Sequence, residues 1–231
     1  MNALHLHAGT LPHDIQLLQG LKPSEINSVL AAAKRQRYPA KSVIARQGES
    51  ANHFFLLWKG RARHFLETPD GKKMILKWIT PGQVFGAVAM VARTSHYYVS
   101  SETVQESVAL VWDGSTIRQL ARRFPQILEN SLIIAADYFA WYVAAHSALI
   151  SQSARERVAH HLAALAPVIG EKIPGGAIEI DVTNEELASS TNITPYTASR
   201  LLSQWQKSGI LRKHRGKIRL HSPERLFLRV L

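Results

Sequence analysis

Between residues 35 and 115 the apolar positions fall in short β-rich runs that glycines cut apart. The stretch HFFLLWKGRARHFLETPDGKKMILKWITPGQVFG (53–86) is representative, with Gly60, Gly71, Gly82 and Gly86 as punctuation. Its PDGK segment (69–72) has hairpin-turn composition, since aspartate and glycine accept the backbone angles a tight turn demands. Short strands at this spacing, with no helical period between them, predict a small sandwich or barrel.

The period changes after Asp113. STIRQLARRFPQILENSLIIAADYFAWYVAAHSALISQ (115–152) predicts helix, with Pro125 near a helix start. Leu128, Leu132, Ala135, Phe139, Tyr142, His146 and Leu149 step by four and three, the spacing of a coiled-coil seam with one polar intruder. A second seam at 127, 131, 134, 138, 141, 145 and 148 is nearly as apolar. A helix with two apolar faces must be covered twice, for example by its own domain and by a partner's helix. Residues 132–150 also have the length of a membrane span. Asp137 and His146 lie inside it, however, and a central aspartate costs about 2.5–3.5 kcal/mol on insertion scales. With no second such stretch, the pattern predicts a dimerisation helix and no membrane partner.

A third pattern begins at Ser153. SARERVAHHLAALAPVIG (153–170) predicts an amphipathic helix ending at Gly170, followed by a PGG turn and the strand AIEIDV (177–182). Thr183 and Glu186 have capping-box spacing and start the next helix. After the turn TNI (191–193), Thr194 and Pro195 open another, a capping hydroxyl followed by proline at the first helical position. In TPYTASRLLSQWQKSGIL (194–211), Ala198, Leu201, Leu202 and Trp205 fall at i, i+3, i+4 and i+7, a core stripe. Tyr196, Ser199, Arg200 and Ser203 share another face, and all can hydrogen-bond. SGILRKHRGKIRLHS (208–222) predicts two short strands around Arg215-Gly216. Helix, tight turn, helix and hairpin is the order of a winged helix-turn-helix.

In such a unit the second helix enters the major groove, its N-terminal half toward the base edges. Its apolar stripe then packs on Leu187, Ala188 and Ile193, and its polar face meets DNA. Arg200 is the long cation on that face, and a guanidinium pairs two donors with guanine O6 and N7, worth about 1–3 kcal/mol of discrimination. The predicted DNA contacts are Tyr196, Thr197, Ser199, Arg200 and Ser203, with Thr183 from the preceding helix and Lys213, Arg215 and Lys217 from the hairpin.

Charge sharpens this picture. The net charge is +11, and from Arg200 to Leu231 nine Lys or Arg face one acid, Glu224, which leaves +8 in that segment. Because the charges alternate with Ile210, Leu211, Ile218 and Leu220, the segment reads as a basic folded surface suited to a polyanion. Length and composition agree with a globular chain of more than one domain: 231 residues, 46% hydrophobic and 19% charged. The absence of cysteine excludes disulfides, thiolate zinc sites and cysteine-ligated iron–sulfur clusters. MNALHLHAGTLPHDIQ (1–16) lacks the basic start and apolar run of a secretory leader, so a cytoplasmic location is expected. No nucleotide-binding glycine loop, zinc-hydrolase histidine pair or nucleophile elbow occurs, so the chain does not read as an enzyme.

Over nearly its whole length the chain resembles the cyclic-AMP receptor/FNR (CRP/FNR) family of bacterial transcription regulators. The β-roll resemblance rests on Gln47-Gly48-Glu49, Lys59-Gly60, Asp70-Gly71-Lys72 and Gly82 through Gly86. The recognition-helix resemblance rests on TASRLLSQWQKSGIL (197–211), closest to the FNR branch. It implies an α+β chain: a cyclic-nucleotide-binding-like β-roll or jelly roll (1–123), a long dimerisation helix and hinge (124–152), and a winged helix-turn-helix (153–231). It also implies a homodimer on a two-fold operator, touching RNA polymerase.

Two departures from the family matter. Its cyclic-nucleotide members hold ribose and phosphate with a Gly-Glu pair and, about ten residues on, an Arg-Ser pair. Here those places read Gly86-Ala87 and, allowing one deletion, His96-Tyr97, with Tyr98 beside them. The carboxylate is missing and a permanent cation has become a histidine that is mostly neutral at pH 7. Losing a charged hydrogen-bond partner costs roughly 1.5–3 kcal/mol each time, so cyclic AMP is not the expected effector. The second departure is Tyr196-x-x-Ser199-Arg200 where FNR-like members carry Glu-x-x-Ser-Arg. Tyrosine cannot accept from cytosine N4 as glutamate does, so the half-site should relax or shift at one base pair. The effector is left as none, another small molecule, or haem sensing a diatomic gas. His5, His7, His96 and His146 keep haem in view, although no histidine pair has diagnostic metal spacing. Non-specific nucleic-acid binding is the other reading of the basic surface.

Overall fold

The computed structural model describes residues 15–91, 96–214 and 216–227. A 3-10 turn at Gln16–Leu18 and α1 (Pro23–Ala31) precede β1 (Lys34–Tyr38), β2 (Val43–Ala45), β3 (His53–Lys59), β4 (Ala62–Glu67), β5 (Lys73–Ile79) and β6 (Val84–Phe85). After α2 (Val88–Val91) come β7 (Ser100–Thr103), β8 (Ser107–Asp113), α3 (Gly114–Arg123) and α4 (Pro125–Ser151). The strands form two four-stranded sheets, ordered β1-β8-β3-β6 and β2-β7-β4-β5.

β3 and β8 explain why the sequence here runs apolar without clean alternation. They pair antiparallel, Phe55 opposite Val111, and both faces of the pair are buried. Phe54, Leu56, Leu110 and Trp112 join a cluster with residues of α1, α3 and the start of α4. Phe55, Leu57, Ala109 and Val111 point the other way, into a cluster with Ala45, Ala62 and Ile79 from the second sheet and Tyr97 from the segment before β7. Trp112 Nε1 donates to the Val29 carbonyl at 2.9 Å, tying α1 to the sheet.

The predicted hairpin joins β4 and β5 across residues 68–72. The helical stretch after Asp113 is two helices, the second starting at Pro125 as expected: Phe124, at φ −126° and ψ 83°, separates α3 from α4. Residues before proline are pushed out of the helical region, which is why the break falls at that position.

The second group comprises α5 (Ala154–Ile169), β9 (Gly170–Lys172), β10 (Ile178–Asp181), α6 (Asn184–Thr191), α7 (Pro195–Lys207), β11 (Leu211–His214) and β12 (Lys217–Leu220), then a 3-10 turn at Pro223–Phe227. Its sheet runs β11-β12-β10-β9. Packing divides the chain into two compact units, with one boundary inside α4 between Ala140 and Trp141 and with Lys72–Ile75 grouped with the second unit.

Candidate nucleic-acid interface

Local sequence builds the helix-turn-helix. Thr183 Oγ1 accepts from the Glu186 N–H and the Glu186 carboxylate accepts from the Thr183 N–H, so two N-terminal donors of α6 are satisfied. α6 ends at Asn192, whose φ of 52° is left-handed, a conformation asparagine tolerates better than most residues. Thr194 Oγ1 accepts from the Thr197 N–H and Pro195 occupies the first helical position of α7.

The stripe Ala198, Leu201, Leu202 and Trp205 is buried, with Leu187 and Ala188 of α6. Arg155 lies over the Trp205 ring, 4.9 Å from its centroid. On the polar face Tyr196 is 78% exposed. Arg200 is exposed and makes no hydrogen bond or ion pair with another described residue. Ser199, Ser203 and Thr197 are half-buried, and two of the hydroxyls have local uses: Ser203 Oγ donates to the Ser199 carbonyl and Thr197 Oγ1 pairs with Thr194 Oγ1.

A residue outside the predicted contacts holds the turn. Arg157, on α5, sends its guanidinium to the carbonyls of Gln152 (2.7 Å), Thr191 (2.9 Å) and Asn192 (3.3 Å). It satisfies two carbonyls where α6 ends and so fixes the direction in which α7 departs. Its only sequence signal is an arginine in a helix that already reads as amphipathic.

The predicted wing cations have different partners. A cleft of about 390 Å³ brings Thr183, Lys213 and Lys217 together, with Tyr196 and Arg200 outside its lining. Lys213 is clipped to α7: its N–H donates to Gln206 Oε1 and its ammonium to Ser203 Oγ at 3.3 Å. Lys217, a predicted DNA contact, is paired with Glu179 at 2.8 Å, and Arg219 shares that carboxylate. These two hydrogen bonds hold Glu179 down at about 2, and the same partner raises Lys217. The reason is register: Arg219 stands directly opposite Glu179 on β10, and Lys217 is two residues along. Arg215 lies outside the described residues.

The expected effector residues do not share one environment. Gly86 takes φ +75°, and a Cβ there would sit 2.7 Å from the His53 carbonyl oxygen, so glycine is required. Ala87 packs beside the outer core cluster. Tyr97 is buried in the inter-sheet core, its hydroxyl donating to the His53 carbonyl at 3.0 Å and accepting from the His53 N–H at 3.1 Å. His96 and Tyr98 are exposed. Among the described residues no three His, Cys, Asp or Glu side chains gather as metal ligands, and His5 and His7 lie outside them.

The seams of α4 separate cleanly. Ile127 and Ser131 of the second seam are buried and Ile134, Tyr138, Trp141, Ala145 and Ala148 are half-buried. On the first, Leu128, Leu132, Ala135, Phe139, His146 and Leu149 are exposed and Tyr142 half-buried, with Phe139 at 70% and Leu132 at 61%. α4 is also the one described helix long and apolar enough to cross a membrane by length and composition.

Two family models match the chain: the cyclic nucleotide-binding domain over residues 35–124 and the Crp-like helix-turn-helix domain over 156–227. The chain is 25% identical over 215 residues to a CRP-like cAMP-activated global transcriptional regulator of Mycobacterium tuberculosis, covering 91% of this chain and 94% of that one. It is 25% identical over 202 residues to a cyclic AMP receptor protein of Thermus thermophilus, covering 87% and 90%. Its fold matches that of the c-di-GMP-responsive global regulator CLP of Xanthomonas campestris with a TM-score of 0.77 at 20% identity, over 87% of this chain and all of the other.

Proposed function

This chain belongs to the CRP/FNR family of transcription regulators, and from that membership we propose that it acts as a homodimer on an inverted-repeat operator. The observation that carries the proposal is Arg200, exposed and unengaged among the described residues, on the polar face of a capped helix whose other face is buried. Each copy presents that guanidinium to guanine, with Tyr196 at a neighbouring phosphate or thymine methyl. The pattern Tyr196-x-x-Ser199-Arg200 supports placing the chain near the FNR-like members.

The exposed first seam of α4 supports pairing of two copies through that helix, the second seam being covered by its own chain. Asp137 and His146 within it weigh against a membrane role. Two α4 helices side by side would set two α7 helices about one duplex turn, ~34 Å, apart. A regulator bound to DNA acts in the cytoplasm and engages RNA polymerase, as the family resemblance implies.

Relatives of this chain are named for cyclic AMP and for c-di-GMP. For this chain we propose an effector other than cyclic AMP and no cofactor. Ala87 supplies no carboxylate, and Tyr97 fills the inter-sheet core with its hydroxyl already bound to His53. A millimolar cyclic AMP titration should leave DNA affinity unchanged, and protein purified after growth with added haem should show no Soret band. Competition binding tests the central reading. A specific regulator keeps its operator complex in excess random duplex, whereas a non-specific binder is titrated away.

A further inference from the structure

The first compact unit contains a cavity of about 450 Å³ that the family's nucleotide positions do not line. Three separate pieces of chain wall it. The 3-10 turn and the residue after it supply Gln16 and Gln19, β5 and the turn that follows it supply Lys77 and Thr80–Val84, and α4 supplies Ile134, Asp137 and Tyr138. Positions 134, 137 and 138 fall at i, i+3 and i+4, so one helical face closes the cavity.

Its polar groups are held in place. Asn130 Nδ2 donates to the carbonyls of Leu17 and Gln19, fixing the 3-10 turn to α4. Gln16 Nε2 donates to Asp137 Oδ2 at 3.1 Å. Gln83 Oε1 accepts from the Thr80 N–H, and Tyr138 Oη lies 3.4 Å from the Val84 carbonyl oxygen. The Lys77 ammonium rests 3.8 Å from the centre of the Tyr138 ring, a contact that keeps a cation at a partly dry wall. Burial lowers Lys77, and the charge of Asp137 pushes it back up.

The lining therefore offers one cation, one anion and three side-chain amides, with Ile134, Val84 and Pro81 as apolar surface. A phosphate dianion would gain Lys77 but meet Asp137, so a nucleotide is a poor match. A molecule with its own ammonium and carboxylate matches both walls, and the volume lies within the roughly 300–1,000 Å³ of small-molecule cavities.

We propose that this cavity binds a small zwitterion of the amino-acid class, its ammonium toward Asp137 and its carboxylate toward Lys77. Because α4 forms one wall, an occupant touches the helix that carries the exposed seam. Binding itself does not depend on the DNA reading above.

Calorimetric titration of the full-length protein with each of the twenty amino acids tests this, with inorganic phosphate and cyclic AMP as charge controls. At least one amino acid should bind with a Kd below about 1 mM. Its keto acid and its decarboxylated amine should bind roughly ten-fold or more weakly, because each loses one charged partner. Asp137→Asn and Lys77→Met should weaken it to a similar extent, and Gln16→Ala, a milder change that tolerates Asp137, less. No heat from any amino acid at about 10 mM overturns the proposal. So does tighter binding of phosphate than of any amino acid, or an affinity indifferent to both charge variants while the wild type binds.

Discussion

Lys217 Nζ lies 2.8 Å from Glu179 Oε1, so a wing cation predicted to meet DNA is held by a carboxylate of its own sheet. Glu179 receives Arg219 Nε as well, at 2.6 Å. Lys217→Ala should therefore lower duplex affinity by less than about three-fold. Lys213, whose side-chain partner is a neutral hydroxyl, retains its charge for phosphate. Lys213→Ala should weaken all duplexes alike and reduce the salt slope by about one. Affinities measured across a salt series separate the two.

Arg157 holds the end of α6 through the carbonyls of Thr191 and Asn192. Arg157→Ala leaves those acceptors and the Gln152 carbonyl without the guanidinium. Hydrogen bonds to a charged group are worth about 1.5–3 kcal/mol, discounted here because the side chain is only half-buried. Urea unfolding should show a loss of about 1–3 kcal/mol, with weaker operator binding even though no DNA-facing residue has changed.

Phe139 stands exposed on the first seam of α4. Phe139→Glu puts a charge into the proposed helix pair without touching the chain's own core. Sedimentation at about 10 µM should shift from dimer to monomer, and operator affinity should fall roughly 100-fold or more as two-site binding is lost.

Buried His64 and half-buried His161 make stability depend on pH on the acid side. His64 is pushed down to about 4 by burial and then by the nearby positive charge of Lys77; the Ser100 backbone opposes this. His161 is pushed down to about 4 by burial alone. Each stays neutral when folded and takes a proton near 6.5 when unfolded, so the unfolded chain binds more protons between those values. Stability is full above about pH 6.5 and falls as pH drops toward 4, by about 3 kcal/mol for each residue across the window. Unfolding free energy measured from pH 7 to pH 4.5 should decline, and His161→Phe should flatten the decline if the core accepts the ring.

Local chemistry was legible in the sequence where a short pattern had one structural outcome. Thr183 with Glu186, Thr194 with Pro195, and the stripe from Ala198 to Trp205 each do in the structure what their spacing predicts. The two seams of α4 were legible as apolar rows, and only the fold shows which one its own chain covers. Pairings between distant residues were not legible. Nothing in the string links Arg157 to residues 191 and 192, Lys217 to Glu179, or Gln16 to Asp137, because each depends on strand register or on how helices cross. α1 went unread for a simpler reason: nine residues with two buried side chains give too short an apolar period.

Selection of bound sites from random duplexes tests the central claim most directly. Two exposed Arg200 side chains on a paired molecule predict an inverted repeat whose half-sites lie about one turn apart, each containing a guanine. Arg200→Ala should lose that guanine preference, at a cost of about 1–3 kcal/mol per half-site, and remain a dimer. Enrichment of a single unpaired half-site, or of no sequence at all, would contradict the account, as would an unchanged motif from the Arg200→Ala protein.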